Sequence, residues 1–386
     1  MMTTGWLVAL LTALWTIPPV LALIAKQLRP NCNLRTDCPD VSVIVPARNE
    51  AAGIQTALRT ILKSEGVRLQ VIAVDDRSTD ATGRLMDEVA AEDPRLQVIH
   101  IDSLPAGWLG KNHAMHIGAR NATGEYLLFT DGDVVYEPLA ICSAVRFLRE
   151  NRLQHLCLLP RMIPGGVIEN CVVAFFGLIF AVGVQLQLIR TRMPFSYAGV
   201  GAFNLIDAAF YRQIGGHQPI AMDVLDDVML GRMVKSNGGR QDFYSAPELL
   251  SIRWQPSLWG IVTGLEKNAF ASAGYSLPFI LFLTVLFFGG MILPWVAVAV
   301  LPFHESAGFL VTILIWHGCY GVAAHLSRGG WWLAPLFPVA AGIMAFTYWR
   351  STFITLRRGG VRWRDSFYSL SELRSMRYRG APRSND

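Results

Sequence analysis

The sequence predicts an α/β domain with a mixed, mostly parallel Rossmann-like sheet, preceded by a transmembrane anchor and followed by transmembrane helices. Apolar β-like runs alternate with helical patterns between residues 41 and 130, which is typical of a parallel sheet. Acidic motifs follow two of these runs. Charge-free stretches lie at both ends of the chain, and charged residues make up 16% of it, against roughly 25% in soluble domains. These proportions exclude an ordinary soluble protein.

Four stretches near the two ends have the length and composition of membrane helices: 6–24, 277–303, 308–327 and 329–348. We expect an N-terminal anchor at 1–27, a cytoplasmic domain at 28–276, membrane segments at 277–349 and a basic cytoplasmic tail at 350–386. Pro335 and Pro338 leave the number of crossings open, because the last segment could be re-entrant or interfacial. The alternative is that the tail departs from the positive-inside trend.

Basic residues predict the orientation of the chain in the membrane. Lys26, Arg29 and Arg35 follow the first stretch, which has neither a basic amino-terminal region nor a small-residue cleavage site. An uncleaved anchor with its carboxyl side in the cytoplasm is therefore expected. The tail holds nine arginines against three acidic residues, which is typical of a segment at the cytoplasmic leaflet. No nucleic-acid partner is expected, because no recognition module accompanies these arginines.

An apolar run at 171–189 is expected to form a buried or interfacial helix within the domain. A membrane helix is the alternative. A crossing there would place Asp226 and Asp227 on the opposite side of the membrane from Asp131 and Asp133, although all four are candidate site residues.

Six cysteines show no metal-binding or redox spacing. They are Cys32, Cys38, Cys142, Cys157, Cys171 and Cys319. A local bridge between Cys32 and Cys38 is one alternative, but free thiols in a reducing compartment are expected.

The secondary structure of the α/β domain is predicted from apolar periodicity and turn residues. The predicted strands are 41–45, 69–74, 96–101 and 125–130. The predicted helices are 51–64, 79–91, 111–120 and 226–236, with Ser78 or Thr79 capping the second of them.

Two acidic motifs follow predicted strands, where open α/β sheets bind ligands. Asp131 and Asp133 are separated by one glycine and can hold a hard cation such as Mg²⁺ or Mn²⁺ against a diphosphate. A solvated Asp-Gly turn is the alternative. Asp75 and Asp76 can accept hydrogen bonds from a nucleobase or a ribose, and Glu50 lies in the equivalent loop after the first strand.

Further candidates lie at helix starts and beside the second membrane segment. Lys111 begins a helix, against the helix dipole, which suits contact with an anionic diphosphate. Asp226 and Asp227 begin another helix, where acids are ordinarily favourable, and Asp227 is the candidate general base. Arg253 could bind the diphosphate and Trp254 could stack on a sugar ring. An interfacial belt is the equal alternative for these two residues.

In this order the motifs resemble those of glycosyltransferase family 2, whose members are inverting enzymes with a GT-A fold. The resemblance covers about residues 41–268, and its parts are VIVPARNE at 43–50, VDDRSTD at 74–80, GK at 110–111, FTDGD at 129–133, GGH at 215–217 and DD at 226–227. The flanking membrane segments resemble those of lipid-acceptor members, such as ceramide glucosyltransferases and hopanoid- or carotenoid-associated bacterial enzymes.

The resemblance implies roles for individual residues. Nucleoside binding falls on Ala47, Glu50, Asp75 and Asp76, metal binding on Asp131 and above all Asp133, and general base catalysis on Asp227. The implied function is metal-dependent, inverting transfer of a sugar from a UDP-sugar to a lipid hydroxyl. The implied location is a membrane of the bacterial inner-membrane type.

Two other functions are weighed against this one. Processive polysaccharide synthases of the same family carry a Q-x-x-R-W motif, and Leu250 stands here where the glutamine would be. This departure weakens the interpretation of the protein as a processive synthase. It also weakens the assignment of Arg253 and Trp254 to ligand binding. A non-catalytic membrane scaffold would leave the acidic residues without a ligand, which is costly.

Overall fold

The computed structural model describes residues 4–32, 38–255, 257–363, 366–378 and 380. The chain forms two compact units. The helical unit comprises Met1–Ala25, Pro164–Gln187 and Trp254–Arg374, and the α/β unit comprises Lys26–Ile163, Leu188–Arg253 and Ser375–Asp386.

The α-helices are α1 (Thr4–Ala25), α2 (Ile54–Leu62), α3 (Thr82–Glu92), α4 (Gly110–Arg120), α5 (Ala140–Glu150), α6 (Val167–Val184), α7 (Ala208–Gln213), α8 (Asp226–Ser236), α9 (Leu258–Ser272), α10 (Leu277–Phe287), α11 (Leu293–Val300), α12 (Phe303–Leu326), α13 (Phe337–Arg358) and α14 (Leu370–Ser375). The strands are β1 (Asp40–Ala47), β2 (Arg68–Asp76), β3 (Leu96–Ile101), β4 (Tyr126–Phe129), β5 (Val135–Tyr136), β6 (His155–Leu159), β7 (Arg161–Met162), β8 (Asn204–Asp207), β9 (Gln241–Ser245), β10 (Leu250–Ile252), β11 (Gly360–Trp363) and β12 (Ser366–Ser369).

The α/β unit is built on a seven-stranded sheet in the order β3-β2-β1-β4-β8-β6-β9. The first four strands in this order run parallel, and β8 is antiparallel to both of its neighbours. The predicted mixed, mostly parallel sheet is thereby confirmed. Strands β1 and β4 are buried almost throughout, as expected for strands with helices on both faces. Ala47 pairs with Asp75 in the register of β1 and β2, so the loops after these strands open at one edge of the sheet.

Helix α3 begins three residues later than predicted, because Asp80 replaces Ser78 and Thr79 at its start. The Asp80 carboxylate accepts hydrogen bonds from the backbone N–H of Thr82 at 2.9 Å and of Ala51 at 3.3 Å. Ser78 instead accepts from the N–H of Asn49 at 3.1 Å. The loop after β2 is thus bonded to the loop after β1.

Five helical segments of the described chain are long and apolar enough to cross a membrane, by length and composition. They are Thr4–Ala25, Val167–Val184, Leu277–Val300, Phe303–Leu326 and Trp331–Arg358. Within the helical unit, α1 and α12 run in the same direction, because Gly5 lies beside Gly308 and Thr16 beside Cys319. A Cβ atom on Gly308 would lie 2.3 Å from the carbonyl carbon of Gly5. Close packing of the two helices therefore requires glycine there.

The apolar run at 171–189 lies mainly in α6, which begins at Val167 and ends at Val184. Its carbonyl at Cys171 accepts a hydrogen bond from the Tyr320 hydroxyl of α12 at 3.1 Å. Near its other end, the side-chain amide of Gln185 donates to the carbonyl of Trp15 at 3.2 Å. Helix α6 thus packs against α1 and α12 within the helical unit.

The cysteine pairing differs from both alternatives considered from the sequence. Cys32 forms a disulfide with Cys142 of α5, with the two Cα atoms 5.8 Å apart, which is an ordinary disulfide separation. Cys38 is free and exposed. The expectation that Cys32 and Cys142 are free thiols is wrong, because folding of α5 brings together residues that are 110 apart in sequence.

The C-terminal segment after α14 packs on α8 within the α/β unit. The backbone N–H of Tyr378 donates to Asp223 Oδ2 at 3.0 Å, and Arg232 donates to the Tyr378 carbonyl at 3.2 Å. The Tyr378 hydroxyl lies 2.7 Å from Ser236 Oγ. Burial raises the pKa of Asp223 to about 6, although the Tyr378 N–H opposes this rise.

Candidate active site

Three acidic or basic motifs, far apart in the sequence, meet beyond the carboxyl end of β4. The ammonium group of Lys111 lies 2.7 Å from Asp131 Oδ1 and 3.3 Å from Asp226 Oδ2. Burial opposes the charge of Lys111, but the carboxylates of Asp131, Asp226 and Asp227 together raise its pKa above the ordinary value. Lys111 is therefore a fixed cation at the centre of three carboxylates.

Asp133 lies at the exposed side of this cluster, and its surroundings disfavour the charged form of its carboxylate. The surrounding protein partly desolvates its carboxylate, and the carboxylates of Asp131 and Glu50 repel it, so that its pKa is raised to about 7. A divalent cation between Asp131 and Asp133 would remove that repulsion, so the two residues fit such an ion.

In the described part of the chain, no three Asp, Glu, His or Cys side chains form a complete metal site. A Mg²⁺-type ion typically takes one or two carboxylates and completes its shell with water and substrate phosphate oxygens.

The raised pKa of Asp133 predicts pH-dependent cation binding. Below about pH 7 a cation must displace the Asp133 proton, so Mn²⁺ affinity should fall up to about tenfold per pH unit as the pH decreases. Isothermal titration with Mn²⁺ across that range would measure the slope. A pH-independent affinity would contradict the involvement of Asp133.

Residues 198–203 line the site, and their part in it was not predicted from the sequence. The backbone of Gly201 donates its N–H to Asp227 Oδ2 at 2.8 Å and accepts a hydrogen bond from the Asp131 N–H at 3.0 Å. A Cβ atom on Gly201 would lie 2.6 Å from Asp131 Oδ2, and one on Gly199 would lie 1.8 Å from the Asp227 carbonyl oxygen. The G-x-G spacing just before β8 was the available sign that backbone approaches the site closely here.

We expect Gly201→Ala to displace the Asp131 carboxylate by several tenths of an ångström or more, because the added methyl group would occupy its position. Cation-dependent nucleotide binding should weaken roughly tenfold, since misplaced ligand geometry of this size commonly costs that much. Gly177→Ala on α6, where a Cβ would meet nothing within 4 Å, is the matched control. Equal binding by both variants would contradict the role of Gly201.

Asp227 and Asp226 face different partners at the start of α8. Asp227 accepts one hydrogen bond at each oxygen, from Gly201 and from its neighbour Val228, both at 2.8 Å. Asp226 instead lies against Lys111. Two N–H donors hold the Asp227 carboxylate in a fixed orientation, and each oxygen keeps a second lone pair.

The acidic pair Asp75 and Asp76 ends β2, near the same edge of the sheet. Asp76 is paired with Arg77 through hydrogen bonds of 2.8 and 3.2 Å, and Arg48 lies 3.8 Å away. A Cβ atom on Gly110 would lie 2.2 Å from Asp76 Oδ2. Asp76 and the helix that carries Lys111 are therefore in close contact, and Gly110 permits it.

Asn112 holds the Lys111 helix to the segment that precedes α8. Its side-chain amide donates to the carbonyl oxygens of Ile220, Ala221 and Asp223 at 2.7, 3.2 and 2.9 Å. The amide is fully buried. The relative positions of Lys111 and Asp226 therefore depend on this side chain.

The remaining predicted residues lie in several places. Ala47 is buried at the end of β1, and the Glu50 N–H donates to Thr82 Oγ1 at 2.8 Å. Arg253 is exposed just after β10. Trp254 belongs to the helical unit, where its ring centroid lies 4.8 Å from that of Phe176 on α6. The acidic cluster thus consists of Lys111, Asp131, Asp226 and Asp227, with Asp133 and Glu50 close enough to interact electrostatically.

Comparison with known proteins agrees with this geometry. Residues 42–174 match the family described as Glycosyl transferase family 2. The 4,4'-diaponeurosporenoate glycosyltransferase of Staphylococcus aureus (strain MRSA252) is 24% identical over 382 residues, covering 95% of this chain and 99% of the relative. The enzyme of that name from Staphylococcus haemolyticus (strain JCSC1435) is 22% identical over 269 residues, covering 69% and 70%.

A solved structure shares the fold. Mannosyltransferase PcManGT from Pyrobaculum calidifontis, in complex with GDP-Man and Mn²⁺, matches with a TM-score of 0.52 and 19% identity, covering 91% of this chain and 98% of the other. The mixed sheet, the match at residues 42–174 and the two relatives lead to one conclusion. The chain has a GT-A fold and is a glycosyltransferase whose residues 42–174 match glycosyl transferase family 2.

Proposed function

We propose that the protein transfers a sugar from a UDP-sugar to a lipid acceptor, with Mg²⁺ or Mn²⁺ bound at Asp131 and Asp133. The observation that carries this proposal is the position of Lys111, whose ammonium group contacts both Asp131 and Asp226. A cation so placed can bind a diphosphate beside a metal site on one side and a catalytic carboxylate on the other.

The donor would lie along the edge of the sheet formed by the loops after β1, β2 and β4. Ala47, Glu50, Asp75 and Asp76 would bind its nucleoside, and Asp131 and Asp133 would hold the divalent cation against its diphosphate. The cation would supply charge stabilisation for the leaving group. Lys111 adds a second positive charge at the same position, and a fixed charge of this kind favours departure of the nucleoside diphosphate.

The acceptor oxygen would attack the anomeric carbon of the donor sugar in a single inverting displacement. With a hydroxyl acceptor, Asp227 would take the proton as the oxygen bonds to the anomeric carbon and the bond to the diphosphate breaks. The hydrogen bonds from Gly201 and Val228 orient the Asp227 carboxylate for this step. Asp226, adjacent to Lys111, would keep that lysine in place.

A carboxylate acceptor is the second candidate, because the relatives from Staphylococcus are named for diaponeurosporenoate, and the ending of that name denotes a carboxylate. A carboxylate is already ionised at neutral pH, so sugar transfer to a carboxylate oxygen would need no general base. The two acceptor classes therefore predict different consequences of removing the Asp227 carboxylate.

The membrane setting completes the proposal. The helical unit has the composition of a membrane-embedded part, and an apolar acceptor would reach the enzyme from the lipid. The α/β unit and the arginine-rich tail would face the cytoplasm. Arg253 and Trp254 would contribute to the donor or acceptor site. A processive synthase is less well supported, since Leu250 is buried in β10 where such enzymes have glutamine.

The experiment that tests the donor site is isothermal titration of the detergent-solubilised protein with UDP, with and without Mn²⁺, beside the variant Asp133→Ala. Mn²⁺-dependent binding that is lost in the variant would support the site. GDP is the comparison ligand, because PcManGT was solved with GDP-Man. Binding of GDP in place of UDP would change the donor, and failure to bind either nucleotide would overturn the proposal.

A further inference from the structure

His100 lies at the nucleoside end of the site, between two carboxylates. It stands on β3 directly beside Asp75 in the register of the sheet. Its Nδ1 atom lies 3.1 Å from Asp75 Oδ2, and its Nε2 atom lies 3.1 Å from Asp87 Oδ1 of α3. A neutral imidazole has one N–H and can donate to only one of them, whereas an imidazolium donates to both. The geometry therefore suits the protonated form.

The charges around the imidazole agree with this form. Strand β2 presents Asp75 to the imidazole, and helix α3 presents Asp87. Arg84, a basic residue of α3, is paired with Glu88. The hydrogen bond with Asp75 raises the pKa of His100, burial opposes the rise, and Asp87 adds to it.

The neighbouring helix leaves space for this pair. A Cβ atom on Gly83 of α3 would lie 2.6 Å from Asp75 Oδ2 and 3.3 Å from His100 Cε1. Any side chain at Gly83 would push the carboxylate and the imidazole apart. The contact therefore depends on a glycine of α3 as well as on the strands.

The two members of the acidic pair differ in their partners. Both oxygens of Asp76 are hydrogen-bonded to Arg77. Asp75 accepts from the Ser78 N–H at 3.1 Å on one oxygen and contacts His100 on the other. Each Asp75 oxygen keeps a lone pair for a nucleobase or ribose donor, and His100 fixes the direction in which that lone pair points.

We propose that His100 is a positioning residue for the nucleoside of the donor, and that its protonation makes donor affinity depend on pH. This inference rests on the proposed function, in which Asp75 binds the nucleoside. The doubly hydrogen-bonded imidazolium is fully formed below the ordinary histidine pKa of about 6.5 and is lost as the pH rises through the raised pKa. Donor affinity should therefore decrease with rising pH through His100.

The test is titration of the full-length protein with UDP and saturating Mn²⁺ between about pH 6 and about pH 9, the range in which histidine loses its proton. His100→Asn places an uncharged amide donor where Nδ1 stands, and His100→Ala removes it. His304→Asn, at an exposed histidine of the helical unit that contacts only Glu305 among the ion pairs described, is the matched control. The metal site has a pH dependence of the opposite sign, and the wild-type protein and the three variants share it. The ratio of wild-type to variant UDP affinity at each pH therefore cancels it.

We expect wild-type protein to bind UDP roughly threefold to fivefold more tightly than His100→Ala at the acidic end, the size of a partly exposed ion pair, and this ratio to shrink at the alkaline end. The UDP affinity of His100→Asn should change less with pH than that of the wild-type protein. Asp87→Asn should shift the midpoint of the pH dependence of UDP affinity to lower pH. Ratios that stay constant with pH, while wild-type protein binds UDP, would overturn this inference alone. Failure of wild-type protein to bind UDP would overturn the proposed donor as well.

Discussion

Replacing Asp133 with alanine should lower the rate of sugar transfer about a thousandfold, which corresponds to about 4 kcal/mol of lost transition-state stabilisation. Asp133 is the more exposed of the two carboxylates beyond β4. Partial desolvation by the surrounding protein, together with the carboxylates of Asp131 and Glu50, raises its pKa to about 7. A bound divalent cation would relieve the repulsion between these carboxylates and hold Asp133 in its charged form. Without Asp133 the cation would have one protein carboxylate, and Lys111 alone would face the leaving diphosphate.

The measurement is transfer from a UDP-sugar at saturating donor, with Mn²⁺ varied over several orders of magnitude. Asp40→Asn is the matched control, because Asp40 is an exposed carboxylate at the opposite end of β1 that pairs with Arg68. We expect the control to keep the wild-type rate. A folded Asp133→Ala protein with the wild-type rate and the wild-type Mn²⁺ requirement would show that the metal is held elsewhere.

Replacing Asp227 with asparagine should lower transfer to a hydroxyl acceptor roughly 10²- to 10⁴-fold, the usual contribution of a general base. Asparagine keeps the shape of the side chain, and its carbonyl oxygen can still accept the hydrogen bond from Gly201. UDP binding should therefore remain, and the loss should appear in kcat. Steady-state kinetics beside a UDP titration would separate the two effects.

The same variant distinguishes the acceptor classes. If the acceptor is a carboxylate, Asp227→Asn should lose little activity, since no proton has to be removed. Asp226→Asn should behave differently from Asp227→Asn, because it removes one of the two carboxylates that contact Lys111 and should weaken UDP binding. Equal effects of the two variants on kcat and on UDP affinity would contradict the separate roles assigned to them.

The sequence predicted the parallel half of the sheet well and the other half poorly. Strands β1 to β4 follow continuous apolar runs, which are typical of buried parallel strands, and their positions agree with the predicted ones to within two residues at every end. Strands β6, β8 and β9 were not predicted. They are four or five residues long and contain buried polar residues such as His155, Asn204 and Asp242, so that their pattern resembles neither a helix nor a strand.

The site could be predicted where a motif is contiguous and could not where it depends on tertiary contact. Asp131 and Asp133 closely follow β4, Lys111 lies in the first turn of α4, and their types alone indicate their chemistry. The close contacts of Gly199 and Gly201 and the His100 contact arise only when residues distant in sequence meet. The Cys32–Cys142 disulfide could not be predicted for the same reason, since spacing carries no information on so long a separation.

The return of the C-terminal segment to the α/β unit restricts the parity of membrane crossings. Tyr378 is bonded to Asp223 and Arg232, so the chain leaves the α/β unit after Arg253 and comes back to it by Ser375. A chain that starts and ends on one side of a bilayer crosses it an even number of times. If the α/β unit lies on one side of a bilayer, the three segments of spanning length between these points would not all cross it, and one of them would turn back or lie along the surface.

The same counting applies to α6. Strand β6 precedes this helix, β8 follows it, and the two are paired in one sheet. If the sheet lies on one side of a bilayer, a single helix between two of its paired strands crosses the bilayer zero times. The axis of α6 would then run along the bilayer surface, at the depth where the polar end of a lipid acceptor meets water.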